Sequence, residues 1–383
     1  MTDAANLIGN PDAFPVLKEW AFFNHAGVSP LPRVSADQIK RYANQSQTGA
    51  YLGGGNWYAD LEVLRKLCAK LINAVPEEIA FVKNTSEGIS IVANGIEWQW
   101  GDLIVTTGVE YPTNIYPWME VCRSRGARLE MVSEETMPDG TRMVPTEKIL
   151  SAASDPKCKL VALSAVEYAS GQKHELERIG EFCRERGILF CVDAIQALGV
   201  SPVDVQRMKI DFLSADSHKW MLGPEGAGFF YCRKELIERI RPLMVGWLNV
   251  IDPHNHGDYN YTLKSDAGRF ECGSYNVPGL LGMLGSLTLI DHVGVEVIQA
   301  RVADLIERLE KGVRDKGYEV VTPKYRAGIF SFKAHGHAHE MIIRKCRESR
   351  VEIVKREGRL RASPHFYNTS EQIDRLIDLL PSH

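Results

Sequence analysis

The sequence has 383 residues, 44% of them hydrophobic, and a formal net charge of −4 with both signs mixed along it. A chain of this length can bury a large core and is expected to form two domains; with no basic stripe and no block of like charge, nucleic acid and membrane surfaces are poor partners. No basic region followed by an apolar core opens the sequence and no apolar run approaches a bilayer span, while the eight cysteines are scattered without a Cys-x-x-Cys pair, so a cytoplasmic protein with reduced thiols is expected.

In chain order, residues 21–24 read as a short strand closing into a proline-rich turn, and a turn satisfying its own backbone explains Asn24-His25-Ala26-Gly27. Residues 34–51 and 57–74 carry apolar positions at helical spacing, Leu61, Leu64, Leu67, Cys68 and Leu71 marking one face. The triple glycine between them, 53–55, reads as a mobile loop. Phe81 and Val82 end a strand, and Asn84-Thr85-Ser86-Glu87-Gly88 opens a helix reaching residue 96. Hydroxyls and free amides at a helix N-terminus attract a phosphate, which makes Thr85 and Ser86 candidate phosphate ligands; a plain capping motif would use the same atoms. Strands at 103–106, 160–163 and 188–192, with a helix at 175–186, alternate as in a parallel sheet covered on both sides.

The strand at 188–192 ends on Asp193, and ligands in open parallel sheets gather at the carboxyl ends of strands. A carboxylate there can keep a pyridine nitrogen protonated, as pyridoxal phosphate requires of its partner, with Gln196 near enough for the ring hydroxyl; Asp193 as a helix cap is the plainer alternative. Residues 211–231 then set Lys219 in a Ser-, His- and Gly-rich loop between two apolar strands. Close to the interior, desolvation lowers a lysine's pKa and makes its free amine a nucleophile able to form an imine with an aldehyde cofactor. A solvated turn lysine would look the same in isolation. Beyond a long polar loop at 252–264, a helical pattern over 280–314 precedes strands at 318–321, 328–332 and 351–354 and helices at 338–348 and 370–380, an α+β layout. The expected division is a large domain over 21–277 and a small one over 1–20 and 278–383. Asp252, His254, His256 and Asp258, and the run His335, His337, His339, match no known ligand spacing, so no metal is expected.

Val192-Asp193-Ala194-Ile195-Gln196 followed by Ser217-His218-Lys219-Trp220 resembles the class V aminotransferase family of pyridoxal-phosphate enzymes, which includes cysteine desulfurases, selenocysteine lyases, isopenicillin N epimerase-like proteins and cysteine C-S lyases. The likeness recurs at Phe81 to Ile89, Glu110 to Ile115, Arg269 to Ser274 and Arg361 to Ser363, and covers nearly the whole chain. It implies a fold-type-I α/β architecture: a mostly parallel central sheet with helices on both faces, plus a small α+β C-terminal domain. It implies that Lys219 carries pyridoxal 5′-phosphate, that Thr85, Ser86, His218 and Ser274 anchor the phosphate, and that Tyr111 stacks on the ring with Tyr168 beside it. Arg361 would take the substrate carboxylate, with Asn24 and His25 near the substrate. The counterpart of Ser274 acts across a dimer interface, which implies a homodimer with shared sites.

Two departures bear on the reaction. Tyr111 and Tyr168 stand where many desulfurases carry histidine and asparagine, and tyrosine cannot shuttle protons near neutral pH as imidazole does. Residues 355–360 hold no cysteine where desulfurases carry a nucleophilic one. The expected function is therefore Cα deprotonation of a small amino acid by Lys219, leading to transamination or β-elimination at a C–S bond without a persulfide cysteine. Epimerisation, desulfuration or selenocysteine lysis, and an inactive scaffold that kept the fold, are the alternatives.

Overall fold

Seven apolar segments build the central sheet: β1 (Ile79–Val82), β2 (Leu103–Thr107), β3 (Arg128–Val132), β4 (Cys158–Ser164), β5 (Leu189–Asp193), β6 (Phe212–Asp216) and β7 (Gly228–Cys232). The structure, a computed structural model, describes residues 4–52, 56–334 and 339–382; the triple glycine at 53–55 and His335 and His337 lie outside them. The strand order is β1-β7-β6-β5-β4-β2-β3, with β7 antiparallel to both neighbours and the pairs from β6 through β3 parallel. Parallel strands need cover on both faces, and the pleat shows it. Leu103, Val105, Val161, Leu163, Phe190 and Val192 pack into one core cluster, while Ile104, Leu160, Ala162 and Cys191 pack into a second.

Helices α1 (Arg33–Gly49), α2 (Trp57–Leu71), α3 (Thr85–Gly95), α4 (Tyr116–Arg125), α5 (Thr146–Ala152) and α6 (Leu176–Arg186) surround the sheet. Helix α7 (Val277–Val293) packs against α1 and α2 and is buried along most of its length. The periodicity over 280–314 is broken in the structure: α7 and α8 (Val295–Asp315) meet at 80°. Gly294, at φ 87°, makes the corner in the left-handed region where a side chain would be strained.

The C-terminal strands β8 (Glu319–Val320), β9 (Phe330–Lys333), β10 (Val354–Arg356) and β11 (Arg359–Ala362) form an antiparallel sheet in the order β8-β9-β11-β10, flanked by α9 (His339–Glu348) and α10 (Ser370–Leu379). Glu357 and Gly358 turn β10 into β11 with φ of 46° and 69°, the positive pair that a tight hairpin requires. Ala21–Phe22 pairs in parallel with Val351–Glu352, and Asn24 bridges to Ser363. The N-terminal segment is thereby laid beside β11, and Arg361 is brought to the carboxyl edge of the large sheet.

That edge carries a row of polar residues in register, Ser164 opposite Asp193 and Asp193 opposite Ser214. Helix α3 lies tightly on the row: a Cβ placed on Gly88 would meet Ser214 Oγ at 2.1 Å and Ser214 Cβ at 2.6 Å. Because Ser214 is fully buried, it has little room to yield. Gly88→Ala is predicted to destabilise the fold by about 1–3 kcal/mol, read as a lowered denaturation midpoint; an unchanged midpoint would show that the helix–strand approach is looser than described.

Candidate active site

The loop between β6 and β7 is fixed at both ends before it presents Lys219. The Ser217 amide bonds Ala227 O at 2.9 Å, the Gly223 amide bonds Ser217 O at 2.9 Å, and the Leu222 amide bonds Lys219 O at 3.0 Å. Leu222, fully buried, takes φ 57°, a conformation uncommon outside glycine that persists only where its surroundings enforce it. Trp220 is buried beneath, its indole N–H donating to Gln196 Oε1 at 2.9 Å. Ser29 Oγ donates to the Lys219 carbonyl at 2.5 Å, so the N-terminal segment also holds the loop.

Lys219 points into a cavity of about 450 Å³ shared with Thr85, Ser86, Tyr111, Tyr168, Asp193, Gln196, His218 and Arg361. Burial pushes its amine down to about 8, reinforced by the Arg361 and Arg356 charges and opposed by Asp193 and Asp216. Its Nζ lies 5.7 Å from the ring centroid of Tyr111, which is half exposed and meets Tyr168 edge-on at 5.3 Å. Thr85 begins α3 and its Oγ1 accepts the Asp216 amide at 3.1 Å; Ser86 Oγ bonds Thr113 Oγ1 at 2.8 Å. His218 Nδ1 lies 3.0 Å from Asp216 Oδ2. Gln196 spends one amide hydrogen on Ala26 O at 3.0 Å and keeps the other for the cavity.

Asp193 is 3% exposed, and burial pushes its carboxyl above the ordinary range against the Ile195 amide, Lys219 and Asn114, which favour the anion. Behind it lies a network whose members sequence reasoning left without a role. Asn114 Nδ2 is within 3.0 Å of Asp193 Oδ2 and of Ser164 Oγ, and 2.8 Å from Glu110 Oε2. Ser164 donates both its amide and its hydroxyl to Glu110 at 2.6 Å. Glu167 accepts from Thr107 Oγ1 at 2.9 Å and meets His174 Nε2 at 2.9 Å. Burial pushes both glutamates up to about 8, with Glu167 adding to the rise at Glu110, and pushes His174 down to about 4. The one signal in the sequence was the clustering of polar residues at strand ends, where Ser164 aligns with Asp193.

Arg361, 1% exposed, donates to Tyr168 O at 2.7 Å and to Asn24 Oδ1 at 3.0 Å. Asn24 thus sets the guanidinium and does not itself line the cavity. His25 lies in the core, apart from the cavity: its Nδ1 bonds Ser363 O at 2.8 Å, its Nε2 bonds Tyr367 OH at 2.6 Å, and burial holds its pKa well below the usual value. Ser274 lines a separate cavity with Gly226 and Lys83. Among the described residues no group of three or more His, Cys, Asp or Glu is placed to hold a metal; His254 and His256 pack instead against Trp247, 6.0 and 6.4 Å between centroids.

The residues present suit pyridoxal phosphate. A depressed amine lines the cavity, a carboxylate lines it from the β5 end, the hydroxyl-bearing N-terminus of α3 offers a phosphate cradle, and Arg361 Nε is buried without a partner among the described residues.

The comparisons agree in kind. A family model described as aminotransferase class-V matches residues 21–376. A probable cysteine desulfurase of Pyrococcus abyssi is 31% identical over 388 residues, covering 96% of this chain and 94% of that protein. Among solved structures, the apo cysteine desulfurase of Thermococcus onnurineus NA1 has a TM-score of 0.87 at 26% identity, over 99% of this chain and 97% of that one. A cystine C-S lyase in complex with its reaction product cysteine persulfide has a TM-score of 0.87 at 25% identity, over 95% of this chain and 98% of that one.

Two pH dependences follow. Since only the free amine attacks an aldehyde, the rate at which the apoprotein takes up pyridoxal phosphate should rise with pH through a midpoint near the Lys219 value of about 8; a midpoint at the ordinary lysine value would contradict the burial argument. Glu110, raised from 4.5 to about 8, holds a proton in the folded state that the unfolded chain releases, so it makes stability fall as pH rises across that window. Urea titrations of Glu110→Gln should show a shallower fall between those pH values, and an identical slope would count against a raised Glu110.

Proposed function

This chain belongs to the class-V aminotransferase family of pyridoxal-phosphate-dependent enzymes, and from that premise we propose that it cleaves the Cβ–S bond of cysteine or a cysteine derivative. The observation that carries the reading is the agreement of two kinds of relative on the same bond: a protein named a probable cysteine desulfurase and a solved cystine C-S lyase. Sequence motifs alone rank transamination beside β-elimination; this agreement favours sulfur chemistry, desulfuration included.

When bound, pyridoxal phosphate supplies an aldehyde that captures amines and a ring that stabilises negative charge at the substrate Cα. Lys219 would hold that aldehyde through Nζ, and the same nitrogen would serve as the base that takes the substrate's α-proton. Arg361, held by Tyr168 O and Asn24, grips the α-carboxylate through parallel N–H donors and fixes which Cα bond faces the ring. Asp193 would keep a ring-nitrogen proton in place, and the α3 hydroxyls with His218 would hold the phosphate. The half-exposed ring of Tyr111 lies 5.7 Å from Lys219 Nζ.

Among the described residues no cysteine lines the cavity, the hairpin sequence 354–361 contains none, and Cys346 is buried in α9 with its thiol pushed up to about 11 by that burial. By β-elimination the sulfur would leave to solvent as sulfide or persulfide, whereas desulfuration to alanine would pass it to an external thiol, which becomes a persulfide. The protein is further proposed to work as a cytoplasmic homodimer. Its eight unpaired cysteines suit a reducing compartment. Ser274, set apart from Lys219 within one chain, would reach the cofactor phosphate of the other, and the exposed Trp247, Tyr259 and Tyr261 offer apolar surface for the contact.

The test is product analysis of the holoenzyme with L-cysteine and L-cystine. Release of sulfide or persulfide sulfur is expected, with pyruvate and ammonia marking a lyase and alanine marking a desulfurase. Accumulation of a 2-oxo acid with the cofactor converted to its amine form, and no sulfur released, would assign the enzyme to transamination instead.

A further inference from the structure

The β10–β11 hairpin carries four cationic side chains, and their partners divide them into two pairs. Lys355 is bonded to Glu340, and Arg359 reaches Glu134 at 3.2 Å. Arg356 and Arg361 form no ion pair among the described residues: Arg356 donates to the Lys355 carbonyl at 2.9 Å, and Arg361 donates to a carbonyl and an amide oxygen. Neutral acceptors orient a guanidinium without cancelling its charge. The register pairs Val354 with Arg361 and Arg356 with Arg359, so side-chain alternation puts Arg356 and Arg361 on the same face of the hairpin, and both line the Lys219 cavity.

No carboxylate among the described residues forms an ion pair with either guanidinium. Asp216 faces His218, Glu357 accepts the Tyr168 hydroxyl at 2.9 Å, and Glu225 at the cavity rim forms no ion pair with either arginine among the described residues. The two charges also work against each other, since after burial itself the Arg356 charge is the main influence disfavouring the Arg361 cation. Arg361 is a buried guanidinium without a counter-ion, which is costly, and the charge of the exposed Arg356 nearby adds to that cost. An ordinary amino acid brings one carboxylate; this face presents two vacancies for an anion.

We infer that the cavity selects α-amino acids bearing a second anionic group, Arg361 receiving the α-carboxylate and Arg356 the acid on the side chain. The inference rests on the amino-acid-converting reading above and narrows its substrate class. Among sulfur compounds it favours cysteine derivatives whose sulfur substituent ends in a carboxylate. Arg356, mounted beside a tight turn and solvent-exposed, can follow side chains of different length.

Isosteric pairs that differ only in charge test it: L-aspartate with L-asparagine, L-glutamate with L-glutamine, and S-carboxymethyl-L-cysteine with S-carbamoylmethyl-L-cysteine. Each is titrated into the holoenzyme while the visible absorbance of the bound cofactor is followed, giving an apparent Kd that does not depend on turnover. In at least one pair the acid should bind roughly ten- to a hundredfold more tightly than the amide, as a charge-assisted contact gives. Arg356→Gln should bring that ratio to within about threefold of unity, the range of an exposed charge effect, with Arg356→Lys retaining part of it. Arg361→Lys should weaken both members alike. The inference is overturned if no pair discriminates in the native enzyme, if the ratio survives Arg356→Gln, or if Arg356→Gln weakens acid and amide equally, which would mean that both arginines share the α-carboxylate. Should cysteine and cystine yield no sulfur, the reaction reading fails while these ratios still stand or fall by themselves.

Discussion

The removal of one amine from water is the constraint on which the rest depends. Lys219 sits where a desolvated ammonium is disfavoured, and neighbouring arginines push in the same direction while Asp193 and Asp216 restrain the effect. Holding an amine there takes more than a loop. The backbone around it closes on itself, Leu222 is kept in a left-handed conformation, and three separate parts of the chain meet beneath it. Ser29 from the N-terminal segment bonds the Lys219 carbonyl, His365 from the C-terminal body lies 3.1 Å from the Trp220 carbonyl, and Gln196 from the end of β5 bonds the Trp220 indole. The fully buried His25 and Tyr367 belong to this support. The small sheet thus does two things at once: it delivers Arg361 and it braces the lysine.

Asp193 is the counterpart at the other side of the cavity. Alone it would be a buried carboxylate with a raised pKa, poorly suited to carry charge. The Ile195 amide and Asn114 favour its anion, while Glu110 and Glu167, themselves pushed toward their neutral forms, add little negative charge behind it near neutral pH. Keeping two nearby acids protonated is a way to let a third stay ionised. The His174–Glu167 contact, buried on both sides, fixes the far end of this arrangement.

Much of this was legible in the sequence, and the remainder was hidden for identifiable reasons. Apolar runs of strand length between helical patterns gave the sheet, and the polar residues ending them marked its carboxyl edge, because burial on both faces leaves little else for those runs to be. The corner at Gly294 was missed because the apolar period continues on both sides of it and only the backbone angle reveals the turn. His25 and Asn24 look alike in a turn motif; pairing of Ala21–Phe22 with Val351–Glu352 sends one into the core and the other to Arg361. Glu110 and Glu167 are far apart in sequence and resemble surface charges until β2 and β4 bring their loops together. Arg356 reads as one cation among four, and only the hairpin register and the partners of its neighbours single it out.

Every role assigned here presupposes that the cofactor is joined to one particular nitrogen. Borohydride reduction of the holoenzyme, followed by proteolysis and mass mapping, measures this directly. The account predicts a single pyridoxyl-modified peptide with the label on Lys219; a label on any other lysine, or none on a fully loaded protein, would contradict it.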